Sequence, residues 1–221
     1  INSLFSSDGG FRKESGYDQQ KFHLKNKFIF YNADTTFNLR LTNLNQETAG
    51  YISGKDIYKD KTESEKNLNP EAYRDAYSLK SNLKFLWSLN DKIVSFIPYL
   101  RKTKMEFLQH YLPGTPVENN SHTSFGFITS HENKLENIKL TSGMQIETAR
   151  VKLKEFQEFP LTTSSAFNNA VRPQGFHYNY EVDSRSVAVF FGFNEFSIGE
   201  NSSVFGDLRL EHNEYSYDNK I

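Results

Sequence analysis

Apolar and polar residues alternate along much of this chain, and the alternating stretches are joined by a short link and then by a long one. Even-numbered positions from Phe22 to Phe30 are mostly apolar, and after a short polar link the pattern resumes between Phe37 and Leu44. Residues two apart point to the same side of a β-strand. Each stretch therefore predicts a strand with one apolar face and one polar face.

Four antiparallel hairpins, or about eight long strands, can be predicted in this way. They run over Phe22–Leu44, Tyr77–Leu100, Phe125–Ile146 and Val187–Leu210. The first two are expected to turn at residues 32–34 and 90–92, where Asn and Asp favour tight turns. Pro98 cannot donate a backbone hydrogen bond, so it predicts a bulge or a locally weak pairing.

Long connections are expected at residues 45–76, 106–121 and 148–179. Structureless loops beyond about 12–15 residues are uncommon in compact soluble domains. A transmembrane β-barrel has tight turns at one end, long loops at the other and alternating faces along every strand. The sequence therefore favours an all-β antiparallel meander in a membrane barrel over a soluble sheet.

The composition excludes several functions. The 26 Lys and Arg residues nearly balance the 27 Asp and Glu residues, so no overall field favours nucleic acid. The chain has no cysteine, and its six histidines show no ligand spacing such as H-E-x-x-H. We therefore expect a protein that is not an enzyme and has no catalytic, metal-binding or cofactor-binding residues.

Aromatic residues make up 15% of the chain and collect beside the short turns. An aromatic girdle is typical of the interfaces of a membrane barrel. An aromatic-rich soluble core is the alternative. The residues concerned are Phe28, Phe30, Tyr31 and Phe37 at the first turn, Phe85 and Trp87 at the second, and Phe191, Phe193 and Phe196 at the fourth.

Two segments within the long connections carry ligand-type side chains. Aromatic and histidine side chains can hold a ligand by stacking and hydrogen bonding, and they can equally anchor a loop by packing. The candidate ligand-contact residues are Phe107, His110, Tyr111, Phe176, His177, Tyr178 and Tyr180.

The alternation also divides the strands into two predicted faces. We expect one face to meet lipid through Leu39, Leu41, Leu79, Leu83, Phe96 and Phe127. The opposite face would line the lumen or contact a plug through Asn38, Arg40, Lys80, Lys84 and Arg101.

Five phrases, in their order along the chain, resemble the β-barrel region of TonB-dependent outer-membrane receptors. They are G-Y-D-Q-Q from Gly16, T-N-L-N-Q-E-T-A-G from Thr42, N-P-E-A-Y-R-D-A from Asn69, M-E-F-L-Q-H-Y-L-P-G-T-P from Met105 and L-R-L-E-H-N-E-Y-S-Y-D-N from Leu208. The resemblance implies energy-coupled uptake of a scarce nutrient such as a ferric siderophore.

The resemblance further implies that residues 1–221 are part of a larger transmembrane barrel in the bacterial outer membrane. We expect the plug domain, the signal peptide and the C-terminal strands to lie outside this segment. The implied partners are outer-membrane lipid, the plug, TonB and a small-molecule substrate such as a metal chelate, without nucleic acid or a cofactor.

The sequence pattern leaves two other interpretations of the fold and function open. A small passive outer-membrane barrel of eight strands would close by pairing Phe22–Phe30 with Val204–Leu210. A soluble β-sheet domain that binds carbohydrate would instead have a two-sheet core, in which Leu39 and Phe85 contact a facing sheet.

Overall fold

The computed structural model describes residues 1–135, 138–162, 171–198 and 202–221. These residues form a nine-stranded sheet in the order β1-β2-β3-β4-β5-β6-β7-β10-β11, and β8 pairs with β9. The strands are β1 (Asn2–Asp8), β2 (Tyr17–Phe30), β3 (Ala33–Glu47), β4 (Tyr73–Leu89), β5 (Lys92–Leu108), β6 (Val117–Leu135), β7 (Ile138–Gln157), β8 (Leu161–Thr162), β9 (Val171–Arg172), β10 (Gly175–Ile198) and β11 (Ser202–Asn219).

The sheet is an antiparallel meander, because each strand pairs with the next strand of the sheet along the chain. The all-β meander is thus confirmed, with nine strands in place of eight. The sequence pattern missed β1, because Asn2–Asp8 does not alternate clearly. A 3₁₀ helix at Ile57–Lys59 and the short helix α1 (Lys61–Ser64) lie between β3 and β4.

Short and long connections alternate as predicted, but the long ones are shorter than expected. They cover residues 48–72, 109–116 and 158–174, and the last of them contains β8 and β9. The expected bounds of 45–76, 106–121 and 148–179 were too wide because the strands continue beyond their apolar stretch into polar residues. All three connections lie at the same end of the meander.

The short turns depend on residues that accept a left-handed backbone. Tyr31 and Asn32 have φ values of 46° and 58°, so both central residues of the first turn are left-handed, as in the tight turns that suit a twisted hairpin. Ala33 and Asp34, which were expected in this turn, are instead the first residues of β3. In the second turn Asn90 has a φ of 53°.

Pro98 weakens one ladder without shifting its register. Asn82 pairs with Tyr99 and Phe85 with Phe96, so the two intervening positions of β5 have no partner on β4 although the alignment continues unchanged. Pro98 keeps its pairing with Phe127 on the other side. Of the two predicted outcomes, the structure therefore has the weak pairing and no bulge.

The two faces of β10 differ in exposure. On β10, Ala188 is 1% exposed, whereas the adjacent Val189 is 50% exposed. Ser124 and Ser95, which share the face of Ala188 by register, are also buried. No second large sheet covers either face among the described residues. We conclude that the sheet curls, with Ala188 on its concave face and Val189 on its convex face.

The convex face carries a continuous apolar belt next to the short turns. Its members are Phe22, Leu24, Phe37, Leu39, Leu41, Leu79, Leu83, Phe85, Phe96, Phe125, Phe127, Met144, Ile146, Val187, Val189, Phe191, Leu208 and Leu210, which share this face by register. All six residues that were expected to face outward belong to it. Further from the short turns, the convex face is polar and charged.

At the short-turn side of the belt, aromatic rings from β2, β4, β5 and β6 contact one another. The Phe85 ring centroid lies 6.2 Å from those of Phe30 and Phe96, and the Phe96 centroid lies 5.5 Å from that of Phe127. Trp87 stacks on Phe85 and donates a hydrogen bond of 3.2 Å to the carbonyl of Tyr31. Phe30, Phe85, Trp87, Phe96 and Phe127 therefore form one aromatic run, while the side chain of Phe196 lies outside the described residues.

Neither of the two other readings fits this fold. Residues 22–30 belong to β2, which pairs with β1 and β3, and residues 204–210 belong to β11, which pairs with β10. The predicted closure of an eight-stranded barrel is therefore wrong. A facing sheet that could contact Leu39 and Phe85 is also missing from the part of the chain that the structure describes.

No helix among the described residues is long and apolar enough to cross a membrane.

Candidate functional site

The concave face carries the polar side chains of the meander. Register places Asn38 opposite Asn82 and Asn82 opposite Tyr99, and side chains that pair directly share a face. The Asn38 amide donates a hydrogen bond of 3.0 Å to the Asn82 carbonyl oxygen. By the same register, Arg40, Lys80, Lys84 and Arg101 lie on this face together with Asn38.

A hydrogen-bond network around Glu147 joins β5, β7 and β11 on the concave face. The Tyr99 hydroxyl donates to the Glu147 carboxylate over 2.5 Å, and the Arg101 guanidinium forms an ion pair with the same carboxylate. Gln145 donates to the Tyr99 oxygen over 2.9 Å, and Arg209 donates to the Gln145 oxygen over 3.2 Å. Each of these five side chains therefore has at least one hydrogen-bond partner within the network.

A glycine on β6 makes this network possible. Tyr99 and Glu147 belong to β5 and β7, which do not pair, and Gly126 stands between them in register. A β-carbon at Gly126 would lie 2.7 Å from the Tyr99 oxygen, closer than real contacts allow. Arg101 also crosses β6, where its Nε donates to Ser124 over 3.1 Å.

Polar groups line a cavity of about 420 Å³ beside this network. Its lining combines predicted residues with residues that the sequence pattern missed. The polar lining residues are Asn38, Arg40, Lys80, Ser81, Asn82, Tyr99, Arg101 and Gln145. The concave face can thus offer hydrogen bonds and positive charge to a polar ligand or to another part of a protein.

Tyr99, Gln145, Glu147 and Arg209 were not predicted as site residues. The polar face of β7 could have pointed to Gln145 and Glu147, which alternate with Met144 and Ile146. On β5 the signal is blurred, because Ile97 and Tyr99 alternate with Pro98 and Leu100. A period-two pattern cannot show which of these residues meet across an intervening strand.

The first group of candidate ligand-contact residues is divided between a strand and a loop. Phe107 lies in β5 and not in a loop as expected, and its ring centroid is 5.7 Å from the guanidinium carbon of Arg74. His110 and Tyr111 lie in the 109–116 connection, where their rings meet edge to face at 5.6 Å. The Tyr111 side chain is exposed, whereas Gln109 next to them is buried.

The second group lies in β10 and not in a loop. Phe176 packs on Phe156 with a centroid distance of 5.1 Å, and Tyr180 packs on Tyr217 at 5.3 Å. His177 contacts the Glu155 carboxylate through Nδ1 over 3.0 Å. Tyr178 is 54% exposed. Phe176, His177 and Tyr180 therefore anchor the β7, β10 and β11 ends through these contacts.

At the end of the sheet opposite the short turns, the connections contact one another through hydrogen bonds. The Asn67 amide donates to the Glu14 carbonyl over 2.8 Å, and Arg12 donates to the carbonyl of Gly50. The side chain of Gln157, which is fully buried, fills the space beside Gly114. Residues 9–16 and 48–72 thus contact each other, while residues 109–116 pack against the end of β7.

Charged pairs occupy the convex face beyond the apolar belt. A hydrogen bond from Arg150, 2.6 Å long, lowers the pKa of Asp183, and one from Lys152 lowers the pKa of Glu181. Burial, together with a hydrogen bond of 3.1 Å to Glu106, raises the pKa of Tyr73 to about 12. This polar zone marks the limit of the apolar surface.

No group of three or more His, Asp or Glu side chains is arranged to hold a metal ion within the described residues. The five candidate concave residues carry amide and cationic groups, which are donors to anions and poor ligands for divalent cations.

One solved structure relates this geometry to a known protein. The chain matches the ferric citrate transporter FecA in its unliganded form with a TM-score of 0.75 and 13% sequence identity, over 99% of this chain and 33% of that protein. No known protein family and no curated protein matches the sequence. The meander therefore has the fold of part of the FecA barrel, and it spans about a third of that protein's length.

Proposed function

We propose that this chain is a barrel segment of an outer-membrane receptor that takes up a scarce nutrient with energy relayed through TonB. The observation that carries the proposal is the division of one curled sheet into a continuous apolar convex belt and a polar concave face. In a membrane barrel the strands alternate in this way, with lipid outside and a polar interior. The fold likeness to a ferric citrate transporter adds support.

The strands β2–β7, β10 and β11 are long enough to cross a bilayer. On β10 the apolar convex residues run from Val187 to Phe193, and charged residues follow at Arg185 and Asp183. A tilted strand of about 9–11 residues crosses the hydrocarbon core. The strands here are longer, so their polar ends with the long connections would extend into water outside the cell, while the short turns would face the periplasm.

The edges of the sheet give a reason for a larger barrel. Among the described strands, β1 and β11 each have one neighbour only. A sheet edge with unpaired backbone groups is costly within lipid, so in the membrane these strands require further partners. We infer that residues 1–221 belong to a longer barrel that encloses a plug domain on its concave side.

The substrate class follows from the fold likeness and from the polar interior. We propose a small metal chelate such as a ferric siderophore or ferric citrate as the substrate. The exposed side chains of Tyr111 and Tyr178, at the end with long connections, are the residues that we propose to meet it first. The remaining candidates, Phe107, His110, Phe176, His177 and Tyr180, would hold these strand ends and loops in place.

Site-directed labelling tests the membrane placement. The chain has no cysteine, so a single introduced cysteine gives one label within this segment. In the full-length protein in vesicles, fluorophores at Val189→Cys and Phe191→Cys should be quenched strongly by nitroxide lipids, and a fluorophore at Ser186→Cys on the concave face should be quenched weakly. Equal quenching at all three positions, or a folded and monodisperse protein in plain buffer, would contradict the proposal.

Uptake measurements test the energy coupling. Cells that express the full-length protein should accumulate a radiolabelled ferric chelate, and this uptake should stop when the proton gradient is collapsed or when TonB is absent. A deletion strain complemented with an unrelated passive porin is the control. Uptake that continues without a proton gradient would mean that the protein is a passive channel.

A further inference from the structure

Four basic side chains stand next to one another across β2, β3, β4 and β5. His23 pairs in register with Arg40, Arg40 with Lys80, and Lys80 with Arg101. All four therefore lie on the concave face, and we call them the basic row. Directly opposite pairs have their β-carbons about 4.5–5.5 Å apart, so each side chain of the row has another basic side chain as its nearest cross-strand neighbour, and Arg40, Lys80 and Arg101 are three like charges side by side.

The surroundings of the basic row are basic as well. On the concave face of β2–β5, register places eight lysine and arginine side chains and one carboxylate, Asp34, which lies at the start of β3. The eight are Lys21, Lys25, Lys27, Arg40, Arg74, Lys80, Lys84 and Arg101. The whole chain has a formal net charge of −1, so this excess is local.

The two central members of the row have no partner within the part of the chain that the structure describes. Neither Arg40 nor Lys80 makes a hydrogen bond or an ion pair there, and both are exposed. Arg101 is paired with Glu147. At the other end, the Nε2 atom of His23 is buried without a hydrogen-bond partner. The row thus has a counterion at one end only.

Such an arrangement destabilises the sheet unless negative charge covers it. Like charges directly opposite each other on a sheet are unfavourable. The other half of the concave face has several carboxylates, among them Glu118, Glu147, Glu155 and Glu211, so basic character is a property of β2–β5 and not of the face as a whole.

The shape of the row favours an extended partner. Four strands about 4.8 Å apart give the row a length of about 14 Å. Open cavities of about 420 Å³ and 250 Å³ lie on either side of Arg40, one against β4 and β5 and the other against β1 and β2. A small carboxylate would reach two neighbouring strands, whereas a run of acidic residues in a polypeptide can reach all four.

We propose that the basic row is the docking surface for an acidic polypeptide segment that lies against the concave face, with its Asp and Glu side chains paired to Arg40 and Lys80. The inference rests on the proposed function in one respect, namely that the sheet closes around this face. The lipid-quenching experiment tests separately which face of the sheet meets lipid, so the two proposals can fail independently.

Thermal unfolding of the full-length protein in detergent tests whether the charges of Arg40 and Lys80 stabilise or destabilise the folded protein. If an acidic segment covers the row, Arg40→Gln/Lys80→Gln should lower the Tm by several degrees, and the decrease should shrink at high salt, because salt screens the lost ion pairs. If nothing covers the row, the same variant should have a higher Tm, because the two substitutions remove the repulsion between Arg40 and Lys80. An unchanged or higher Tm would therefore overturn the proposal.

The matched control is Lys102→Gln/Lys104→Gln. These lysines lie on β5, the strand that pairs with β4, but on the convex face, and neither has an ion pair within the described residues. Their removal should leave the Tm unchanged at both salt concentrations. A decrease equal to that of the Arg40/Lys80 variant would mean a nonspecific charge effect and would count against the docking surface.

Cross-linking identifies the partner even where a variant unfolds. A photoactivated benzoylphenylalanine in place of Lys80 should cross-link to an Asp- and Glu-rich peptide of the same protein, which mass spectrometry identifies; the same group in place of Lys102 should not. Absence of a protein cross-link at Lys80, together with stabilisation of the wild type by added citrate or phosphate, would show that the row binds small anions and would refute the proposal.

Discussion

Tyr99 and Glu147 lie on strands that do not pair, and their side chains nevertheless share a hydrogen bond of 2.5 Å across Gly126. The intervening glycine has no side chain, so the tyrosine ring can lie over its backbone and reach the carboxylate. Arg101 meets the same carboxylate from the same strand as Tyr99. Curvature of the sheet brings these groups together on its concave face.

A side chain at Gly126 should break this arrangement. Gly126→Val places a β-carbon close to the Ile146 carbonyl oxygen and 2.7 Å from the Tyr99 oxygen, so the backbone of β7 must shift and the Tyr99 hydroxyl must move away from Glu147. We expect a loss of about 1–3 kcal/mol in unfolding free energy, measured by urea unfolding of the refolded protein in detergent. Gly9→Val is the control, because nothing lies within 4 Å of a β-carbon there. Equal stability of the two variants would exclude the proposed role of Gly126.

Charge on the convex face should be costly only if that face meets lipid. Val189→Arg is expected to destabilise the protein in bilayers by about 2–4 kcal/mol if the residue lies near the bilayer midplane. In water the same change at a half-exposed position would cost little. Ser186→Arg on the concave side of β10 should be tolerated, because its cross-strand neighbour is Glu147. Similar unfolding free energies for the two variants would argue against a lipid-facing belt.

The aromatic run should act as a coupled unit. Phe85 contacts Phe30, Trp87 and Phe96, so its contribution depends on its neighbours. A double-mutant cycle with Phe85→Ala and Phe96→Ala should give a coupling energy of about 0.5–1.5 kcal/mol. The pair Phe85→Ala and Phe5→Ala should show none, since Phe5 is 78% exposed on β1. Strict additivity in both cycles would mean that the rings do not interact.

Tyr73 should make stability depend on alkaline pH. Its pKa is raised to about 12, first by burial and then by the hydrogen bond to Glu106. A raised tyrosine pKa means that the protonated form is favoured in the folded state. Its contribution to stability is thus complete below about 10, the ordinary tyrosine pKa, and is lost as the pH rises through 12.

Two variants test this titration by tyrosinate absorbance. The difference in tyrosinate absorbance between the wild type and Tyr73→Phe should report one tyrosine, which ionises at a pH above the ordinary tyrosine pKa. Glu106→Gln should lower the pKa of Tyr73 while leaving it raised, because burial is the larger cause. A difference spectrum that titrates at the ordinary tyrosine pKa would contradict the structure around Tyr73.

The period-two pattern determined which residues share a face. Leu39 and Leu83 fall on the convex side and Asn38 and Arg40 on the concave side because the side-chain period of a strand is two, whatever the tertiary structure. It also placed the short turns within a few residues, since Asn32 and Asn90 tolerate a left-handed backbone. The fold class followed from these local rules.

The sequence pattern predicted the ends of the strands, and which residues lie in loops, less well than it predicted the faces. Phe107 and Phe176 were expected in loops, yet they extend β5 and β10 beyond the apolar belt. Outside that belt both faces of a strand are polar, so alternation ends before the strand does. In the same way, β1 has too few apolar residues to signal a strand, and only its pairing with β2 defines it.

The sequence by itself determined the two-faced strands and their antiparallel order, because alternation and turn chemistry act between residues that are close along the chain. The tertiary structure decided the contacts that cross a strand. Tyr99 and Glu147 are 48 residues apart, and they meet because the sheet curls and Gly126 leaves room. Register likewise aligns His23, Arg40, Lys80 and Arg101 into one row, since pairing between strands fixes neighbours that no local pattern contains.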